Sequence, residues 1–143
     1  MATVCKTVEI DLAAAAVWDA VRDVGNLHRR LAPSLIADCR LNDAGSERVV
    51  TFADGTKLPE TIISLDDAAM RFVWSARNPS LAHHNAAMAV SALSEGKSAV
   101  SWTADVLPDQ AADFMAPFIA AGLAAMKAHL EDAPVAVLQV ESP

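Results

Sequence analysis

Between residues 35 and 107 the apolar and polar positions fall into short runs bounded by turn signals. The runs LIADCRL, ERVVTF, LPETIISL, MRFVWSA, HHNAAMAVSAL and SAVSWTADVL have extended character. The turn-forming groups NDAG, ADGT, DD, RNPS and SEGK separate them. Strands joined by such short connections must pair as antiparallel neighbours, so about six strands form a meander. TVCKTVEI adds a strand at the N-terminus, since its β-branched residues favour extended chain. The alanines of HHNAAMAVSAL would also suit a helix. A helix there would interrupt the meander, so the run is assigned to a strand.

The flanks carry a helical period instead. Asp11 is placed to cap a helix over residues 12–23, on which Val17, Trp18 and Val21 share one face. Gly25 breaks it, and NLHRRLA makes a second short helix stopped by Pro33. After Pro108, Asp109 opens DQAADFMAPFIAAGLAAMKAHLED, the longest helical pattern in the chain. At about 100° per residue, Ala112, Met115, Ile119, Gly122, Met126 and Leu130 gather on one side, with Phe118 and Leu123 flanking. Asp113, Lys127 and Glu131 lie opposite. Pro117 is expected to kink this helix or to mark where its regular part starts. Residues 1–133 then form a single domain and residues 134–143 a C-terminal tail. An antiparallel sheet of this size must bury one face, and only the long helix is large enough to cover it. The space between a curved sheet and one helix is either packed core or a cavity.

Composition narrows the possible partners. Hydrophobic residues make up 53% of the 143 residues, which argues against a disordered chain. The formal net charge of −7 disfavours nucleic acid and anionic membrane surfaces, both of which need basic protein surface. Two cysteines, Cys5 and Cys39, are too few for a disulfide framework or a zinc cluster, and a reduced, cytoplasmic setting is the simpler expectation. The N-terminus lacks the pattern of a signal peptide, and no run is expected to reach the roughly 20 apolar residues of a membrane span. The composition is compatible with a homo-oligomer.

The order of these elements resembles the helix-grip proteins of the START-like superfamily, which includes polyketide cyclase/dehydrase and lipid-transport proteins. The resemblance covers roughly residues 4–131. Its most specific part is RVVTFADGTKLPETIISLDD, in which Arg48, Gly55, Glu60 and Asp66 fill positions often seen in the family. AVWDAVRDVGNLHR, Trp102 in SAVSWTADV and FIAAGLAAMKAHLE add to it, while Leu31 stands where many relatives carry Trp. The resemblance implies an α+β helix-grip fold: a strongly curved antiparallel sheet of about seven strands around a long C-terminal helix, with two short helices after the first strand. It also implies a hydrophobic cavity between sheet and helix.

Candidate chemistry centres on that space. Neighbouring side chains in a strand point to opposite faces, so His84 sides with Ala86, Met88 and Val90, and His83 with Asn85, Ala87 and Ala89. The first set is more apolar, which turns His84 inward and His83 outward and denies them a joint metal site; no metal or cofactor is expected. Both faces of the strand holding Glu60 are mixed, and it is the resemblance that implies a cavity-facing Glu60. Its partner there is expected to be His84 or Arg29, whereas a structural Glu60 would pair with Arg48 or Arg71. Trp74 and Trp102 look inward, as core or as walls for a flat ligand. Gly122 would let a ligand or the sheet come close to the helix.

The expected lining is Glu60, Ile62, Trp74, His84, Ala86, Met88, Trp102, Met115, Phe118, Ile119, Gly122 and Met126. The expected function is binding of a hydrophobic small molecule, lipid-, polyketide- or steroid-like. Two other readings stand beside it. One is a polyketide cyclase, aromatase or dehydratase in which His84 moves a proton and Glu60 orients it or acts as the acid. The other is a protein-interaction module with a filled core.

Overall fold

A computed structural model describes residues 1–141, with side chains described through residue 132; the expected tail, residues 134–143, lies outside the residues whose side chains are described. Seven strands form one sheet: β1 (Ala2–Ile10), β2 (Ile36–Leu41), β3 (Glu47–Phe52), β4 (Lys57–Asp66), β5 (Arg71–Ala76), β6 (His83–Ser94) and β7 (Lys97–Leu107). Two short helices, α1 (Ala14–Val21) and α2 (Leu27–Arg30), follow β1. A 3-10 turn at Asp109–Ala111 leads into α3 (Ala112–Glu141). This is the helix-grip arrangement.

The sheet order is β1-β7-β6-β5-β4-β3-β2, antiparallel throughout. The meander from β2 to β7 therefore pairs in chain order, and β1 returns to lie beside β7. Register shifts interrupt β2 at Ile36/Asp38, β4 at Ile62/Ser64 and β6 at Ala92/Ser94. Such irregularities bend a strand and increase its twist, which helps the sheet curve around α3. Its inner face is read directly from the alternation. On β6, His84, Ala86, Met88 and Val90 are buried while His83 is exposed, and on β7 Val100, Ala104 and Val106 are fully covered. HHNAAMAVSAL is thus a strand in spite of its alanines, held by ten paired positions on β7.

Two helical expectations change. Asp11 does not cap α1: the helix starts at Ala14 with Ala13 at its N-cap and no side-chain cap bond. The Asp11 backbone N–H donates instead to Glu131 Oε2 at 2.8 Å, and Lys127 Nζ donates to the Glu9 carbonyl at 2.7 Å. The end of β1 is tied to α3, which holds Asp11 away from the first helical turn. Val17, Trp18 and Val21 are buried as the helical period requires. Trp18 is also anchored, its Nε1–H donating to Asp67 Oδ1 at 2.9 Å. The long helix is continuous through Pro117, starting at Ala112, so Pro117 does not mark its beginning.

A further change concerns membranes. Asp109–Asp132 has the length and composition of a membrane span, with a mean hydropathy of 1.3 over its most apolar window, contrary to the sequence expectation. The same residues explain it. Met115, Ile119, Leu123, Met126 and Leu130 are buried against the sheet, and alanines supply much of the remaining hydropathy. It is the core helix of the domain.

Candidate functional site: a cavity under the C-terminal helix

The sheet curves farther than α3 can fill, and a cavity of about 580 Å³ remains between them. The inner faces of β3 to β7 make its floor. One side of α3 makes its roof, through Met115, Phe118, Gly122 and Met126. Val21, Leu27, Leu31 and Ala32, from the α1–α2 region, line it as well. Lining residues that remain exposed mark the mouth: Leu35, Phe114 and Phe118, with Ala53 and Asp54 in the β3–β4 turn.

Aromatic rings form a continuous belt along the cavity. Phe72 stacks on Trp74 with centroids 4.9 Å apart, Trp74 meets Trp102 at 5.6 Å, and Trp102 meets Phe118 edge-on at 5.9 Å. Phe52 closes the belt against Phe118 at 5.8 Å. Rings in these geometries attract beyond simple area burial and make stiff walls. Gly122 is what lets Trp102 lie so near α3: a Cβ on Gly122 would sit 2.7 Å from Trp102 Cζ3. The expectation of a close approach at Gly122 is met by the sheet itself.

The polar groups form a row across the sheet. Arg48 is opposite Glu60 on the β3–β4 pair, and Glu60 is opposite Ala76 on the β4–β5 pair. The Ala76 backbone N–H then donates to His84 Nδ1 at 2.9 Å. Glu60 and His84 both line the cavity, but the partner of Glu60 is neither His84 nor Arg29. Arg48 donates to Glu60 Oε1 from Nε and from a second guanidinium nitrogen, each at 2.8 Å, and to the Val24 carbonyl at 3.0 Å. The guanidinium also lies 5.1 Å from the Phe72 ring centre and 5.8 Å from that of Trp74. Arg48 and Glu60 are only 4% and 7% exposed. Glu60 therefore has both expected characters at once, a cavity wall and a structural ion pair. Antiparallel register selects Arg48 because it places the two residues directly opposite; Arg29 and Arg71 are exposed.

His84 is 8% exposed. Burial, and secondly the charge of His83, hold its pKa below the usual histidine value. Geometry works in the same direction. With Nδ1 accepting from Ala76, Nε2 carries the single ring proton; a second proton on Nδ1 would face a donor. The neutral ring thus leaves Nε2–H without a protein partner among the described residues. Because the folded pKa is depressed, His84 in the unfolded chain takes up its proton first as pH falls below about 6.5. The folded state therefore loses stability from that pH down to the folded pKa, and the loss then levels off. Wild-type protein should lose more stability between about pH 7 and 5 than His84→Gln, measured by denaturant unfolding across that window. Parallel curves for the two proteins would contradict this.

Of the expected lining residues, Glu60, Trp74, His84, Met88, Trp102, Met115, Phe118, Gly122 and Met126 are brought together around the cavity. Ile62, Ala86 and Ile119 are not among its walls. Ala86 and Ile119 are fully buried core, and Ile62 lies beyond the Arg48–Glu60 pair on β4, packed against the core. Ile119 misses because the buried surface of α3 has two sides. Phe114, Phe118 and Gly122 turn to the cavity, whereas Ile119, Leu123 and Leu130 are core. Residues not foreseen as lining include Val50, Phe52, Leu58 and Phe72. Phe52 shares strand parity with Val50 and Arg48, so alternation on β3 was the available signal.

The fold has close likenesses among solved structures. A protein from Bacillus thuringiensis superposes with a TM-score of 0.82 at 18% identity, over 90% of this chain and 98% of that one. A START superfamily protein from Mycobacterium smegmatis gives 0.71 at 16% identity, over 92% and 98%. The di-domain ARO/CYC protein BexL, from the BE-7585A biosynthetic pathway, gives 0.76 at 19% identity; the match covers 92% of this chain and 47% of BexL. At these identities the likeness establishes the fold. No curated protein sequence matches the chain. Residues 1–131, which include the whole sheet and every wall of the cavity, match the family described as polyketide cyclase/dehydrase and lipid transport, and the chain belongs to that family.

Proposed function

We propose that the protein binds a hydrophobic small molecule, lipid-, polyketide- or steroid-like, in the cavity beneath α3. The cavity itself carries this reading. Its volume of about 580 Å³ falls in the range of ligand sites, roughly 300–1,000 Å³. Its walls are aromatic and aliphatic, with a few polar groups gathered around Arg48, Glu60 and His84, which is the usual composition of such sites. A hollow of this size also argues against an interaction module with a filled core. The test is calorimetric titration and thermal unfolding with a flat apolar probe such as Nile red, beside native mass spectrometry of the protein as purified. Saturable one-to-one binding with a raised Tm is expected; ligand at a hundredfold excess over Kd adds about 2.7 kcal/mol. Absence of saturable binding by any flat apolar compound would end this reading.

One observation favours a second reading, that of a cyclase or dehydratase. His84 presents a neutral Nε2–H at the cavity wall, fixed in direction by the bond to Ala76. A donor so placed could polarise a carbonyl oxygen by hydrogen bonding, with Glu60 orienting a substrate hydroxyl. The family description and the likeness to an ARO/CYC protein motivate this reading. If it holds, His84→Ala lowers turnover of a cyclising substrate while leaving its binding nearly intact. Unchanged turnover would leave binding alone as the function.

A further inference from the structure

We propose that the cavity selects uncharged ligands: flat apolar compounds bearing a hydroxyl or carbonyl group, to the exclusion of their carboxylate, sulfate or phosphate counterparts. The proposal rests on the cavity being a ligand site and concerns which chemistry that site accepts. It comes from an inventory of the positive charge in the walls.

Among the described lining residues Arg48 is the single permanent cation, and its charge is already paired with Glu60. Two of its nitrogens are committed to Glu60 Oε1 and one to the Val24 carbonyl, while the rings of Phe72 and Trp74 lie beside the guanidinium. To bind an anion, Arg48 would have to share with a second negative group a charge that the buried Glu60 carboxylate already neutralises. His84 does not substitute for it: its Nδ1 is occupied by the Ala76 N–H, so the ring offers one neutral donor. Lys57 follows the lining residue Thr56, but it lies on the opposite face of β4 from Leu58 and is exposed.

The remaining charges in the walls are negative. Asp23, Asp54 and Glu60 line the cavity. Asp23 is held by Arg30 and Asn26, and Glu60 by Arg48, which leaves Asp54, in the exposed β3–β4 turn, without a cationic partner among the described residues. An anionic ligand would pass this carboxylate and then shed its hydration into an aromatic cavity with no cation to replace it. That is the costly case of burying an unpaired charge. A neutral oxygen fares differently. His84 Nε2–H is a neutral donor at the wall, with no hydrogen-bond partner among the described residues. An unmade bond of this kind is costly and calls for an acceptor. A carbonyl or hydroxyl oxygen satisfies this donor without bringing charge. The second oxygen of Glu60, free of protein partners among the described residues, suits a ligand hydroxyl.

The experiment compares pyrenemethanol with pyrenecarboxylate, which share one ring system and differ in charge. Affinities are measured by calorimetry at about pH 8, above the histidine range. The alcohol is expected to bind wild-type protein at least ~10-fold more tightly than the carboxylate. Glu60→Gln leaves the Arg48 charge without its counter-charge, so in the folded variant the gap should close or reverse. If wild-type protein binds the carboxylate as tightly as the alcohol, or if the gap persists unchanged in folded Glu60→Gln, charge selection by this wall is overturned while the cavity remains a ligand site. If folded wild-type protein binds neither compound nor Nile red, the ligand-site reading falls and this proposal with it. The wild-type comparison is decisive even if Glu60→Gln does not fold.

Discussion

Arg48→Ala should destabilise the domain by about 3–5 kcal/mol, the range for breaking a buried ion pair by removing one partner. The side chains of Arg48 and Glu60 are 4% and 9% exposed, so bulk solvent screens the pair little. Truncation strands the Glu60 carboxylate, leaves the Val24 carbonyl without its side-chain donor and removes the cation resting against Phe72 and Trp74. Replacing both partners together, as Arg48→Met with Glu60→Leu, should recover most of the loss, because two buried charges are exchanged for apolar volume. Denaturant unfolding of the two single variants and the double variant forms a complete cycle. A single-variant loss below about 1 kcal/mol would mean that water in the cavity solvates Glu60 well enough to replace Arg48.

Gly122→Leu should weaken ligand binding by at least tenfold, about 1.4 kcal/mol, while reducing stability less than Arg48→Ala does. Two effects on stability oppose each other. Leucine is the better helix former by nearly 1 kcal/mol. Its Cβ, however, would begin 2.7 Å from Trp102 Cζ3, and overpacking of this kind costs about 1–3 kcal/mol. The indole has little room to retreat, with Trp74 at 5.6 Å and Phe118 at 5.9 Å. The new side chain and the displaced ring must therefore take space from the cavity. Gly122→Ala separates the terms, since it keeps the clash and adds nothing beyond Cβ. Titration of both variants with pyrenemethanol, alongside their Tm values, checks the expectation. Wild-type affinity in Gly122→Leu would show that the guest does not use this part of the roof.

The legible parts of this protein share one property: each depends on neighbours within a few residues. Alternation along HHNAAMAVSAL turned His84 inward and His83 outward, and the strand obeys it. The 3.6-residue period buried Met115, Ile119, Met126 and Leu130 together. Where a local rule failed, a distant partner intervened. Asp11 has the chemistry of a helix cap, but its backbone is claimed by Glu131 from the far end of the chain. The strand of Glu60 was ambiguous because its apolar residues change sides. Register shifts at Ile62/Ser64, after which Ile63 and Leu65 are exposed, and no period-two reading anticipates that shift.

Element order, the buried face of most strands and the helix that must cover them are legible along the chain, because backbone period and turn chemistry act locally. That Arg48 rather than His84 or Arg29 answers Glu60, and that Phe118 faces a hollow while Ile119 faces packed core, emerges with the assembled fold. Strand register and the separation of helix from sheet are set by contacts between residues far apart in the chain. Charge compensation and cavity volume follow from those separations, and no local pattern records them.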